Sequence, residues 1–160
     1  KNNFIKKNLG IVSNNNTITL NDWINSSKIE KDSDLLLQMD IEGDEYFSLI
    51  SISNKLLNRF RIIIVQFHNL DKIWLHDFHL LFSRTLKKLL QNHTIIHLHP
   101  NNCCGTENRM GVQIPRVMEF TFLRNDRITT KIKQTKFPHY LDKDCIEQNP
   151  HIPLPKIWYK

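Results

Sequence analysis

Three stretches of the chain are apolar almost without interruption, and a fourth alternates. "DLLLQMDI" (34–41) has the pattern of a strand covered on both faces. "FRIIIVQFH" (60–68) is a second such run, rich in β-branched residues, and "TIIHLHP" (94–100) is a third, stopped by Pro100. In "VMEFTFLR" (117–124) the apolar positions recur every second residue, which predicts a fourth strand. Between them, Phe78, Leu81, Phe82, Leu86, Leu89 and Leu90 follow helical spacing and predict a helix over 77–91. Gly43 supplies a turn after the first strand, and a helix is expected from about Asp44 to Leu57, with Tyr46, Phe47, Leu49 and Ile50 inward. "TITLNDWI" (17–24) reads as a short extended piece leading into a helix capped by Asn21 or Asp22, with Trp23 and Ile24 turned inward.

The flanks carry less pattern. Residues 1–16 are polar and Asn-rich, the composition of a loop, and 26–34 is a charged linker. The segment after residue 125 holds most of the prolines and is expected to run extended over the surface. Strand, helix, strand, helix, strand predicts one α/β domain over 1–160, with its core in 17–125, and a mostly parallel sheet. The last two strands are joined by a loop without helical period, which allows them to pair antiparallel.

Size and charge narrow the partners. A chain of 160 residues buries a useful core, and no apolar run is long enough to span a bilayer. The opening "KNNFIKKN" has no Met and no leader pattern, and reads as the start of a trimmed piece. The net charge of +6 comes from scattered Lys and Arg rather than a phosphate-tracking stripe, so no specific nucleic acid is expected. The three cysteines, Cys103, Cys104 and Cys145, have no framework spacing and contain no C-x-x-C, which favours reduced thiols and a cytoplasmic location over a zinc site.

Ligands of open α/β sheets bind outside the carboxyl ends of the strands. Asp40 and Glu42 follow the first strand, His68 the second, and His97, His99, Asn101 and Asn102 lie on and after the third. Parallel strands would bring all three groups to one rim. Glu42 and Asp44 also fit a helix N-terminus, whose dipole favours acids. An acid ending a buried strand, such as Asp40, must be solvated or paired. His97 and His99 share a strand face beside two asparagines, whereas His76, His79, His93, His139 and His151 read as surface residues. His68, His97, His99, Asp40 and Glu42 are metal-competent types, but a polar cradle for a hydroxylated substrate, with His68 or His99 as general base, accounts for them more simply. Phosphate-loop, nucleophile-elbow and dinucleotide-turn motifs are missing from the sequence.

"TLND" (19–22), "LLQMDIEGDE" (36–45), "VQFH" (65–68), "HLHPNN" (97–102) and "FPHYLDKDCIEQNP" (137–150) together resemble the FkbM-type methyltransferase family. The resemblance implies the carboxyl-terminal half of a Rossmann-like class I methyltransferase sheet, mostly parallel with an antiparallel last strand inserted between two neighbours. It implies S-adenosylmethionine as cofactor and O-methylation of a sugar, glycan or related hydroxyl. Carried onto this chain, Asp40, His68 and His99 would be catalytic, Asp40 and Glu42 would face the cofactor, and His97, Asn101 and Asn102 would face a small-molecule or glycan acceptor. The family's glycine-rich cofactor loop should lie upstream of Lys1. Gln38, Asn21 and Gln66 replace a Lys, an Asp and a Glu of the family pattern. A non-catalytic glycan- or partner-binding module is the alternative reading, and a metal-dependent enzyme built on His97 and His99 is a third.

Overall fold

Leu37 and Met39 on one strand, Ile63, Val65 and Phe67 on the next, and Phe120 and Phe122 on a third are all buried, and each set is spaced by two. The sheet they form carries its core on one face. A computed structural model describes residues 4–159. Its main sheet joins β3 (Leu35–Met39), β4 (Phe60–Phe67), β5 (His93–Pro100) and β8 (Met118–Arg124) in the order β3-β4-β8-β5. Two small pairs complete the strands: β1 (Asn8–Leu9) with β2 (Thr17–Ile18), parallel, and β6 (Thr106–Arg109) with β7 (Val112–Pro115), antiparallel.

This corrects the expected Rossmann-like, mostly parallel sheet. The four-stranded sheet is mixed: β3 and β4 pair in parallel, but β8 is antiparallel to both of its neighbours, β4 and β5. The physical reason lies between β5 and β8. A parallel return needs a crossover, usually a helix. Here the connection is the β6–β7 hairpin, turned at Met110 and Gly111, which both have positive φ. Since β3 and β4 share one direction and β4 and β5 both oppose β8, the carboxyl ends of β3, β4 and β5 still lie along one edge of the sheet.

Helices cover the apolar face. The expected helix over 44–57 is two, α2 (Glu45–Ser51) and α3 (Asn54–Leu57). Ile52 is extended between them, and the Ser53 hydroxyl restarts the helix by accepting from the Leu56 amide at 3.2 Å. The ammonium of Lys88, on α4 (His76–Leu89), donates to the carbonyls of Ile50 and Ile52 at the end of α2. Burial pulls its proton affinity below the ordinary lysine range. Tyr46 of α2 stacks on Phe67 at 5.2 Å and meets Phe78 and Phe82 of α4 edge-on. Aromatic pairs of this kind add roughly 0.5–1.5 kcal/mol beyond the area they bury.

Smaller expectations also shift. The first helix, α1 (Leu20–Ser26), is capped by Thr19, one of the four residues best suited to the role, rather than by Asn21 or Asp22. Ile24 packs on the core, whereas Trp23 and Phe47 remain partly exposed. His93 is buried, not at the surface, and its Nε2 lies 2.7 Å from the Phe60 carbonyl. At the far end of the sheet, hydrogen bonds from Arg124 hold the carboxyls of Asp34 and Asp126 below the usual range.

Among the described residues after β8 there is no strand or α-helix, but the segment is not merely laid on the surface. Ile152 and Leu154 are buried, and Asn102 fastens the segment from inside. Its Nδ2 donates to the carbonyls of Ile146 at 2.8 Å and Asn149 at 3.2 Å, and its Oδ1 accepts from the Ile146 amide at 2.9 Å. Asn102→Ala is expected to cost roughly 2 kcal/mol, since buried partners lose their bonds. Hydrogen exchange should then quicken around 146–149; unchanged exchange there would show the tail to be held elsewhere.

Candidate functional site

The site forms where two tight turns meet. Past β3 the chain turns through Glu42 at φ 59° and Gly43 at φ 114°, and past β4 it turns through Asn69 at φ 61°. The φ of Gly43 is one that residues with a Cβ rarely adopt, which is what requires glycine there; an added Cβ would also come within 2.8 Å of the Asn69 side-chain amide. Glu45, the first residue of α2, is fully buried behind them. Its Oε1 accepts from the amides of Ile41 and Gly43, both at 3.1 Å, and lies 2.9 Å from Nδ1 of His68. One carboxylate therefore ties the turn, the helix start and the imidazole together.

The other ring nitrogen faces outward into acids. His68 Nε2 is 3.6 Å from Asp40 Oδ1, 3.6 Å from Glu42 Oε2 and 3.4 Å from Gln66 Nε2. Asn101 Nδ2 donates to Gln66 Oε1 at 2.9 Å, which leaves the amide nitrogen of Gln66 turned toward the imidazole. A neutral ring that donates from Nδ1 to Glu45 presents its Nε2 lone pair to the open side between Asp40 and Glu42. Below, the Tyr46 hydroxyl donates to the His68 carbonyl. Burial, followed by the charges of Glu45 and Asp71, drives the Tyr46 phenol far above its usual range, so it remains a donor.

Asp40, Glu42, His68 and Asn101 are thus brought together. His97, His99 and Asn102 are engaged by the tail. His97 Nε2 is 2.9 Å from Asp142 Oδ1, His99 Nδ1 is 3.6 Å from Asp142 Oδ2, and His99 Nε2 is 3.1 Å from the Lys143 carbonyl. Both histidines nevertheless share the rim. Gln66, Glu119 and His99 sit side by side across β4, β8 and β5, so Gln66 and His99 are separated by roughly 10 Å, two strand spacings. Beside His97 a groove of about 590 Å³ runs along β5. Thr94, Lys131, Gln134, Phe137 and Trp158 line it further on.

Glu45 and Asp142 are the residues that sequence reasoning missed. Glu45 was available in the D-I-E-G-x-E run, but it reads there as a dipole-favoured helix residue. The signal is its neighbour: Tyr46 and Leu49 face inward, and a carboxylate beside them needs a partner. Asp142 has no local signal, because its partners are about 45 positions away. Cys103 and Cys104 are free thiols. Burial, and then the adjacent Cys104, push the Cys103 thiol up to about 12, which excludes it as a nucleophile near neutrality.

S-adenosylmethionine would require a cradle for its nucleoside. The turn after β3 that could approach it is filled by Asn69 against Gly43, and Asp40 and Glu42 are directed at His68. Both carboxylates are half-exposed or more, so they, and not that turn, are what this chain offers a methyl donor. The chain matches no protein-family model, no curated protein and no solved structure. Among the described residues, no helix is long and apolar enough to cross a membrane.

Proposed function

We propose that the rim at the ends of β3 and β4 binds a hydroxylated acceptor, a sugar or glycan, and draws the proton from one hydroxyl. This is the acceptor side of the O-methyl transfer that the sequence resemblance implies. The observation that carries the reading is the fully buried Glu45 holding His68 Nδ1 at 2.9 Å, which turns the Nε2 lone pair outward. Such an electron-rich group, fixed in one tautomer, suits a hydroxyl that must lose its proton before its oxygen can attack. The groove along β5 supports a glycan: apolar ring faces with a few polar groups are what a sugar packs against.

Saturation-transfer NMR with a panel of neutral mono- and oligosaccharides tests binding, and transfer from labelled S-adenosylmethionine tests chemistry. His68→Asn is expected to reduce transfer about 100-fold or more while leaving sugar binding near the wild-type level. Sugar binding without transfer in the wild type would favour a glycan-binding module, which the tail-bound His97 and His99 also fit. No saturation transfer to any sugar overturns both readings.

A further inference from the structure

We propose that Asp40, Glu42 and Nε2 of His68 bind a divalent cation. The proposal rests on the reading above only for its purpose: the ion takes the Nε2 lone pair and polarises a bound acceptor hydroxyl, whose proton then leaves to water instead of to the imidazole. Its geometry is independent of that reading. A nitrogen lone pair lies between two carboxylates, 3.6 Å from each. Ligands held at 2.0–2.2 Å around one ion stand roughly 3.0–3.4 Å apart, so closing the set needs movements of a few tenths of an ångström toward the imidazole and larger ones of the two carboxylates toward each other. Glu42 is 86% exposed and Asp40 is half-exposed, so both are free to make them.

A second observation points to positive charge. Glu45 is fully buried, yet its Oε2 has no hydrogen-bond partner among the described residues. A bare carboxylate oxygen in that position is costly unless a charge nearby compensates it. Asp40, Glu45 and His68 each offer a ligand atom, and these three atoms lie within 4.8 Å of one another. Glu45 itself is committed through Oε1 to two backbone amides and to Nδ1 of His68. It is therefore a positioning residue, fixing the imidazole so that Nε2 faces the ion, as outer carboxylates do behind metal-bound histidines. One imidazole and two carboxylates, open on one side to water or a hydroxyl, suit manganese(II) or a similar first-row ion better than calcium. His97, His99 and Asp142 form the competing candidate, but the tail already takes their nitrogens and oxygens.

The test is a titration of the chelator-treated chain with manganese(II) chloride, followed by electron paramagnetic resonance and by thermal melting. One ion per chain with micromolar affinity is expected, together with a rise in melting temperature. Asp40→Asn, at a half-exposed position that does not threaten folding, should weaken the affinity by at least tenfold, and so should His68→Ala. Glu45→Gln should weaken it about tenfold while the Asp142→Asn control leaves it unchanged. Equal affinity in the wild type, Asp40→Asn and His68→Ala overturns the site, and so does loss of binding in Asp142→Asn. Manganese binding without methyl transfer would leave the cation site and remove the hydroxyl reading. Transfer that survives chelation in a chain that binds no manganese would do the reverse.

Discussion

Glu45→Ala is expected to destabilise the chain by roughly 3–5 kcal/mol, measured by urea denaturation. The side chain is 0% exposed and accepts from two amides of the turn and from the imidazole. Truncation leaves three donors facing a void, and each orphaned buried donor costs about 1–3 kcal/mol. Glu45→Gln keeps the shape and one acceptor oxygen, so it should retain most of the stability. The two variants together separate packing from charge. If Glu45→Ala costs less than about 1 kcal/mol, water reaches those amides and the carboxylate is not the tie that holds the turn.

Phe67→Ala is expected to cost about 3–5 kcal/mol, as large-to-small changes do in closed cores. Phe67 is fully buried, stacks on Tyr46 at 5.2 Å and meets Phe82 and Phe120 edge-on at 6.0 and 5.1 Å. It is also the residue before His68, beneath the Tyr46 hydroxyl that holds the His68 carbonyl. The cavity should therefore loosen the imidazole as well as the core, and any activity or cation affinity should fall with stability. Phe47→Ala, on the exposed side of α2, provides the contrast, with an expected change within about 0.5 kcal/mol. Similar losses at the two positions would mean that α2 is not packed on β4 through Tyr46 and Phe67.

The elements with strong periodicity were legible in the sequence. The strands at 35–39, 60–67, 93–100 and 118–124 and the helix at 76–89 lie within a residue or two of where the apolar pattern puts them. What the pattern does not contain is direction. The apolar runs "TIIHLHP" and "VMEFTFLR" carry no direction themselves; the loop between them allows an antiparallel return, and the placing of the last strand between two neighbours comes from the resemblance, because register and direction come from tertiary pairing and from the hairpin between them. The break at Ile52 was equally hidden, since Ser51 and Ser53 are tolerated inside a helix and only the Ser53 cap decides against it. Within the site, Asp40, Glu42 and His68 were readable because each follows a strand by one to three residues. Glu45 was hidden by its place in a helix, and the engagement of Asn102 and both rim histidines by 139–149 was hidden by distance along the chain.

That distance also orders events during synthesis. Glu45 and His68 are separated by 23 positions, while Asp142 reaches back 45 to His97 and Asn149 reaches back 47 to Asn102. Domains emerge from the ribosome amino end first. A nascent chain released as far as His68 already contains every group of the acidic cluster. His97 and His99 stay solvent-facing until the final segment arrives to cover them.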